Sequence, residues 1–256
     1  MLAQLKMIAM WPYPRLIAHR GGGALAPENT LAALRTGLSA GYRAVEFDVM
    51  LAADQVPVLM HDENFGRTIA GAGQVAATPS AALVGMDAGS WFGPAFSGER
   101  IALYRDALAY CRSQGIWMNV EIKPASGWEQ QTGQVTARLT ADLLGDGAAG
   151  AVLFSSFSMA ALRAAQQAAP GIPRGLLVQD LPPDWREQLA SVRALSLHID
   201  HARLTRDMAQ LVRSAGYAVF CYTVNSVPRA RELSGWGVDA ICTDRIDLLR
   251  PDFFEA

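Results

Sequence analysis

Three carboxylates in two separate stretches of the chain have the side chains and the spacing of a metal site. Glu46 and Asp48 lie in Ala-Val-Glu-Phe-Asp-Val-Met-Leu, and Glu121 lies in Trp-Met-Asn-Val-Glu-Ile-Lys. Both stretches are predicted strands, and residues two apart share one strand face. Hard oxygen ligands with no cysteine nearby select Mg²⁺, Ca²⁺ or Mn²⁺ over zinc. We therefore predict a divalent cation site, with Mg²⁺ as the first choice.

The stretch that contains Glu46, Asp48 and His61 has the pattern of a two-stranded hairpin, with a polar break at Ala53-Asp54-Gln55. A turn centred between the first two break residues places Glu46 opposite His61 and Asp48 opposite Leu59. The two carboxylates and the imidazole then converge where a core strand would carry valine or isoleucine. Such burial is costly unless a cation or a substrate compensates the charge. The alternative is that the carboxylates alternate along a solvated edge strand.

Cationic and imidazole side chains accompany the carboxylates. Lys123 lies two residues after Glu121, and together with Arg20 it can bind phosphate beside a metal. The alternative for Lys123 and Glu121 is a structural salt bridge at a strand end. His19 and His61 both follow predicted strands, which suits a general acid and a general base near neutral pH. His198 and His201 have no candidate carboxylates or cations of this kind beside them, and we interpret them as packing or surface residues.

The elements that position these side chains alternate between strand and helix. Eight strand-then-helix units run from a strand at 15–19 to a last strand at 240–243, which is expected to lead into a C-terminal helix. This order predicts a (β/α)8 TIM barrel, with a doubly wound open sheet as the alternative. The barrel is favoured because polar residues follow most strands, at the end where a barrel places its active site. These residues are His19, Glu46, Asp48, Glu121, Lys123, Ser155, Ser156, Asp200, Asn225 and Asp244.

The stretch at about 62–100 interrupts the alternation. It is rich in glycine and carries four aromatic residues between Phe65 and Phe96. A linker would lack these aromatic residues, so the stretch is interpreted as a folded part of the domain. We predict a single domain over residues 1–256, with a small insertion after the second strand at about 62–100.

Composition narrows the class of protein. A hydrophobic content of 51% with 18% charged residues indicates a buried globular core. A formal net charge of −2 and the lack of a basic run argue against a nucleic-acid partner. The sequence has no run of about 18 or more apolar residues, so neither a membrane span nor a stable membrane association is expected. The three cysteines have no metal-type spacing, and Met1–Met10 is short for a signal peptide, which together predict a cytoplasmic protein.

Taken together, the motifs resemble those of the glycerophosphodiester phosphodiesterase family. In chain order they are His19-Arg20-Gly21, Pro27-Glu28-Asn29-Thr30, Glu46-Phe47-Asp48, His61-Asp62, Asp87-Ala88-Gly89-Ser90-Trp91-Phe92, Glu121-Ile122-Lys123, Ser155-Ser156-Phe157, Thr223-Val224-Asn225 and Thr243-Asp244. The resemblance covers nearly the whole chain in the right order. The opening Trp-Pro-Tyr-Pro-Arg and the lack of a signal peptide resemble the cytoplasmic bacterial branch, which is associated with glycerol-3-phosphate uptake systems.

The resemblance implies a metal-dependent hydrolase that converts sn-glycero-3-phosphoalcohols to sn-glycerol 3-phosphate and the free alcohol. It implies a divalent metal on Glu46, Asp48 and Glu121. It also implies His19 as the general acid and His61 as the general base. The residues implied to contact the small-molecule substrate are Arg20, Lys123, Asn29, Phe157, Tyr222 and Asn225. Many family members have tryptophan in place of Tyr222, which leaves the breadth of substrates open, and no oligomeric state is predicted.

Two other functions stay open at this point. The first is a phospholipase D-like or cyclising lyase acting on lysophospholipids, which shares the barrel and the metal triad. It needs an apolar groove, and the aromatic residues of the insertion can supply one, although packing of the insertion explains them equally well. The second is a barrel that binds a phosphorylated ligand without catalysis. Such a protein would tolerate loss of His19 or His61, and both are present.

Overall fold

A computed structural model describes residues 11–254 of the 256-residue chain. Within this range nine strands form one sheet, and eight of them are parallel and close into a barrel because β9 pairs back onto β1. The strands are β1 (Leu16–Ala18), β2 (Ala44–Leu51), β3 (Pro57–Leu59), β4 (Trp117–Ile122), β5 (Val152–Ser156), β6 (Arg174–Val178), β7 (Ser196–Asp200), β8 (Ala218–Tyr222) and β9 (Ala240–Thr243). The extra strand, β3, pairs antiparallel with β2. The predicted (β/α)8 TIM barrel is confirmed.

Helices connect the barrel strands, and most of them cover the outer face of the barrel. They are α1 (Leu31–Ser39), α2 (Ser80–Leu83), α3 (Tyr104–Gln114), α4 (Glu129–Leu144), α5 (Ala148–Ala151), α6 (Met159–Ala168), α7 (Trp185–Ser191), α8 (Arg206–Ser214) and α9 (Val227–Gly235). Several begin after a hydroxyl residue whose oxygen accepts a hydrogen bond from the first turn, as Thr30 does for α1 and Thr205 for α8. In the part of the chain that the structure describes, no helix is long and apolar enough to cross a membrane.

The prediction of a C-terminal helix after β9 is wrong for the described residues. Residues 244–254 form turns instead. The carbonyl group of Leu249 accepts a hydrogen bond from the Tyr42 hydroxyl. In a continuing helix, this carbonyl group would accept from the backbone N–H of the residue four positions later. Pro251 follows shortly after and lacks the N–H that a helix needs. These turns therefore pack back against the start of β2.

Strand residues alternate between two environments. Phe47 on β2 and Val120 on β4 point outward into the large apolar layer beneath the helices. Glu46 and Asp48 on β2, and Glu121 on β4, line a cavity inside the barrel. The carboxylates thus lie on β2 and β4, whose other face is buried apolar surface. A shift of one residue would turn these apolar side chains into the cavity, so their burial fixes the register of the two strands.

Aromatic side chains close the N-terminal end of the barrel. Trp11 packs edge-on against Phe220, with ring centroids 6.0 Å apart, and Tyr13 stacks on Trp117 at 4.7 Å. Phe220 is also stacked on His198 at 4.1 Å. His198 is fully buried, which confirms its interpretation as a packing residue. Side chains therefore fill the interior of the barrel at this end.

The hairpin of β2 and β3 differs from prediction in its register. Asp48 was expected opposite Leu59, but Leu59 lies opposite Val49, so the predicted pairing is wrong by one residue. The reason is the length of the turn, which uses three residues and places Gln55 at a positive φ of 61°. Three-residue hairpin loops characteristically end in such a left-handed residue. The centre of the hairpin therefore falls on Asp54.

The segment between β3 and α3 has a small core of its own. Its regular structure consists of α2 and two turns of 3-10 helix, Val75–Ala77 and Pro94–Phe96. Its buried side chains, such as Leu83, pack with Met50 and Val58 of the hairpin and form a cluster distinct from the layer beneath the barrel helices. The segment is thus seated on the hairpin that carries one edge of the candidate site.

Candidate active site

The carboxyl ends of the barrel strands open into a cavity of about 250 Å³. The predicted site residues that line it are His19, Arg20, Glu46, Asp48, His61, Glu121, Lys123, Phe157 and Tyr222. The cavity is also lined by Phe220 and by Asn119, the register partner of Glu46 on β4. His61 arrives there despite the shifted register because it lies beyond the last paired residue of β3. The structure therefore brings together most of the residues singled out from the sequence.

The three carboxylates of Glu46, Asp48 and Glu121 lie side by side because β2 and β4 are neighbours. Asp48 and Glu121 are register partners, and one oxygen from each of the three residues lies within 4.8 Å of the others. Burial, reinforced by the neighbouring carboxylates, raises the pKa of Glu46 well above its ordinary value and that of Glu121 to about 7. A set of close, mutually repelling oxygen donors fits a hard divalent cation.

Two cationic side chains offset part of this charge. The Lys123 Nζ lies 3.2 Å from Glu121 Oε1 and 3.6 Å from Asp48 Oδ1. The Arg20 Nε lies 3.8 Å from Asp48 Oδ2. Burial would raise the pKa of Asp48, but the charges of Lys123 and Arg20 outweigh it and lower the pKa. The buried Nε of Arg20 has no hydrogen-bond partner among the described residues.

Each of the two cavity histidines is held by an aspartate. The Nδ1 atom of His19 lies 2.6 Å from Asp244 Oδ1, and the Nδ1 atom of His61 lies 2.6 Å from Asp62 Oδ1. Since Nδ1 is engaged, Nε2 is the ring nitrogen left for proton transfer. The Nε2 atom of His19 lies 3.8 Å from Glu46 Oε2, at the edge of the carboxylate group. Burial lowers the pKa of His61, which favours its neutral imidazole.

The role of these two aspartates is the feature that the sequence reasoning missed. Asp62 follows His61 directly, and this adjacent pair of an acid and an imidazole was a usable signal. Asp244 lies 225 residues from His19 along the chain, and only closure of the barrel between β9 and β1 brings them together. An aspartate that orients a histidine fixes which ring nitrogen carries the proton.

Asn29 and Asn225 contact acidic residues of the site. The Asn29 Nδ2 donates to Asp48 Oδ2 at 2.8 Å, and its Oδ1 accepts from the backbone N–H of Asp48 at 3.0 Å. The Asn225 Nδ2 donates to Asp244 Oδ2 at 2.8 Å, and its Oδ1 accepts from the backbone N–H of Asp244 at 2.8 Å. Both amides thus brace a site carboxylate, while direct contact with substrate stays a prediction for them.

An aromatic pair lines the cavity wall opposite the hairpin strand. Phe157 and Tyr222 pack edge to face, with centroids 6.0 Å apart. The Tyr222 hydroxyl donates to the carbonyl group of Val178 at 2.8 Å, which fixes its ring. Phe157 is 51% exposed, so it presents apolar surface beside a charged site. Such a surface suits the hydrocarbon part of a polar ligand, and substrate contact by the pair stays a prediction.

Comparison with known proteins gives consistent matches over the whole barrel. The model of the glycerophosphoryl diester phosphodiesterase family matches residues 19–248. The glycerophosphodiester phosphodiesterase of Caldanaerobacter subterraneus subsp. tengcongensis is 32% identical, over 90% of this chain and 93% of its own. An Oleispira antarctica phosphodiesterase, solved in complex with the product sn-glycerol-3-phosphate, is 34% identical with a TM-score of 0.90, over 95% of this chain and 97% of its own. The glycerophosphodiester phosphodiesterase of Agrobacterium tumefaciens is 28% identical with a TM-score of 0.75, over 94% of this chain and 99% of its own.

Proposed function

Because the chain belongs to the glycerophosphoryl diester phosphodiesterase family, we propose that it hydrolyses glycerophosphodiesters to sn-glycerol 3-phosphate and an alcohol. The observation that carries the proposal is the convergence in one cavity of three carboxylates, two cationic side chains and two histidines that are each held by an aspartate. The product bound to the Oleispira antarctica relative supports the choice of reaction.

The proposal includes a divalent metal ion, with Mg²⁺ as the first choice, held by Glu46, Asp48 and Glu121. The donor set is entirely carboxylate oxygen, which hard cations prefer. When bound, such an ion polarises a phosphoryl oxygen and stabilises the negative charge that develops on it. Arg20 and Lys123, which line the same cavity, then bind the other phosphate oxygens.

In the first step of the proposed reaction, the glycerol hydroxyl next to the ester attacks phosphorus. His61 takes the proton of that hydroxyl, a bond forms between its oxygen and phosphorus, and the bond to the alcohol breaks while His19 protonates the departing oxygen. The product of this step is a cyclic phosphate. The hydrogen bond of each Nδ1 to an aspartate keeps Nε2 as the proton-transfer atom in both rings.

In the second step, water opens the cyclic phosphate and the histidines exchange roles. His19 takes a proton from the attacking water, and His61 returns a proton to the glycerol oxygen as its bond to phosphorus breaks. The result is sn-glycerol 3-phosphate, with both histidines back in their starting protonation states. The assignment of His19 as first acid and His61 as first base follows the family resemblance.

The substrate class is set by the glycerophosphate half in this proposal. Phe157 and Tyr222 contact the glycerol carbons, and the charged groups hold the phosphate and hydroxyls. The proposal assigns Phe157 and Tyr222 to the glycerol half, so it assigns no aromatic cage to a cationic alcohol. We therefore expect the enzyme to accept several alcohols.

We also propose a cytoplasmic location. Cys111, Cys221 and Cys242 are all buried free thiols, a pattern that suits a reducing compartment. Fractionation of the source cells, with activity and antibody detection followed in parallel, tests this location. Recovery of the protein outside the cytoplasmic fraction would contradict it.

The most direct test of the function measures sn-glycerol 3-phosphate released from glycerophosphocholine and glycerophosphoethanolamine, with and without chelator. Release from both substrates, loss of release in chelator and recovery with Mg²⁺ are expected. A cyclic phosphate formed from a lysophospholipid, without release from either substrate, would favour the lyase instead. Binding of sn-glycerol 3-phosphate without any turnover would favour a barrel that lacks catalysis.

A further inference from the structure

A continuous chain of charged side chains links His61 to Arg20. Asp62 holds His61 with one oxygen, and its other oxygen accepts a hydrogen bond from Arg67 Nε at 2.6 Å. The two terminal nitrogens of Arg67 donate to the two oxygens of Glu28 at 2.6 and 2.7 Å. Glu28 in turn accepts a hydrogen bond from Arg20 at 2.6 Å. Every contact is as short as, or slightly shorter than, a typical charge-assisted hydrogen bond.

Arg67 occupies the centre of this chain and lies outside the cavity lining. It joins two carboxylates from different parts of the fold, Glu28 before α1 and Asp62 after β3. The planar guanidinium directs N–H groups from three different nitrogen atoms in a fixed plane, whereas the three N–H groups of lysine all leave one nitrogen atom. Burial would raise the pKa of Glu28, but the hydrogen bond from Arg67 and the charge of Arg20 outweigh it and lower the pKa.

We propose that Arg67 is a positioning residue that orients both the His61 imidazole and the Arg20 guanidinium. It acts on His61 through Asp62, and on Arg20 through Glu28. One side chain thereby aligns the group that transfers a proton and the group that binds phosphate. This inference rests on the proposed function, because the two tasks belong to it.

The first experiment compares kcat and KM for glycerophosphocholine in three variants. Arg67→Ala is expected to lower kcat by about 10- to 100-fold, the usual effect of removing a group that orients a functional side chain, and to raise KM as well. Asp62→Asn should act mainly on kcat, and Glu28→Gln mainly on KM. Unchanged kcat and KM in Arg67→Ala would overturn the proposal.

The second experiment repeats the substitution in a His61→Ala background. No imidazole is then left to orient, so Arg67→Ala should leave the residual kcat unchanged and still raise KM. A general loss of folding would lower kcat by the same factor in both backgrounds. Equal factors would therefore overturn the proposal.

Arg35 offers a matched control. Its side chain is also exposed, at 55% against 45% for Arg67. From α1 it pairs at 3.5 Å with Glu99, which belongs to the segment between β3 and α3, as Arg67 does. Neither Arg35 nor Glu99 lines the cavity. Arg35→Ala should keep kcat and KM near the wild-type values. A loss in Arg35→Ala as large as in Arg67→Ala would show that anchoring of the segment is the cause, and would overturn the proposal.

Arg67→Lys is the last variant, and it replaces Arg67→Ala as the test of the proposal if Arg67→Ala does not fold. It keeps the charge without the three directed N–H groups, so it should recover only part of the lost activity. Full recovery would show that charge alone suffices and would overturn the role of the guanidinium. An inactive wild-type enzyme would count against the proposed function, whereas an active wild type with a fully active Arg67→Ala counts only against this inference.

Discussion

The imidazole of His198 fills the space next to Gly175, where a Cβ atom would lie 2.2 Å from the Nε2 atom of the ring. The same nitrogen is 2.8 Å from the hydroxyl of Ser196, and the ring is stacked on Phe220. The ring is therefore held on several sides beneath the active-site cavity. Glycine is required at residue 175 for its small size, since β6 passes directly beside a buried ring.

The first prediction is that Gly175→Ala lowers the free energy of unfolding by about 1–3 kcal/mol, the usual cost of overpacking a core. Denaturation in urea measures it. Gly171→Ala is the matched control, because a Cβ there meets no heavy atom within 4 Å. The control should change stability by no more than about 0.5 kcal/mol. Equal stabilities of the two variants would contradict the close packing of Gly175 against the His198 ring.

The second prediction concerns acid stability. Burial lowers the pKa of His198 from 6.5 to about 3. Between these values the unfolded chain binds a proton that the folded chain does not, so the free energy of unfolding decreases as the pH falls below about 6.5. The contribution of this group is at most about 1.4 kcal/mol per pH unit. Urea denaturation at pH 7 and pH 5 measures it.

His198→Gln is the comparison for this second prediction, because it removes the titrating group and keeps a polar side chain. Its stability should fall less between pH 7 and pH 5 than that of the wild type. All other side chains are the same in both proteins, so their contributions cancel in the difference. An equal fall in the two proteins would exclude His198 as the source of the acid sensitivity.

The third prediction separates metal binding from folding. Glu46→Gln, Asp48→Asn and Glu121→Gln should each weaken Mg²⁺ binding at least about tenfold, since even groups behind the ligands have effects of that size. In chelator, the two glutamine variants should unfold at or above the wild-type temperature, because burial and repulsion disfavour the charges they remove. Calorimetric titration and thermal unfolding measure both effects, and equal stabilisation of wild type and variants by Mg²⁺ would exclude these ligands.

The fourth prediction concerns proton transfer. His19→Ala and His61→Ala should each lower kcat by about 10²- to 10⁴-fold, the usual contribution of a positioned acid or base. His201→Ala is the control, because this residue follows β7 and lies outside the cavity lining. Steady-state assays with glycerophosphocholine decide the matter. A loss in His201→Ala comparable to that in His61→Ala would show that the wrong pair has been assigned.

The fifth prediction tests the nucleophile. A 2-deoxy analogue of glycerophosphocholine should bind but turn over orders of magnitude more slowly, because it lacks the hydroxyl whose attack is intramolecular. Replacing choline by ethanolamine should matter much less. Product release from each compound, with inhibition by the analogue as the measure of binding, gives the comparison. Similar turnover of the analogue would favour direct attack by water.

The order of strands and the polar residues at their ends were sufficient to predict the barrel, because parallel strands must place these ends together. The hairpin register was not predictable from the same pattern, since it depends on Gln55 adopting a left-handed conformation that glutamine rarely takes. The link between His19 and Asp244 was equally hidden, because it depends on closure of the barrel and not on local spacing. The metal-ligand candidates Glu46 and Asp48 were easier to find, because they lie two residues apart on one strand and their shared face follows from local geometry.

The separate packing of the segment after β3 makes it a natural cassette for protein engineering. Its buried residues pack on the hairpin, whereas β2 and β4 are joined by their own strand ladder. A graft that retains Asp62 and Arg67 and replaces the remainder would therefore alter the rim of the cavity while leaving the carboxylate triad in place. Exchange of this one segment is thus a route to a changed surface beside His61 that leaves the carboxylates untouched.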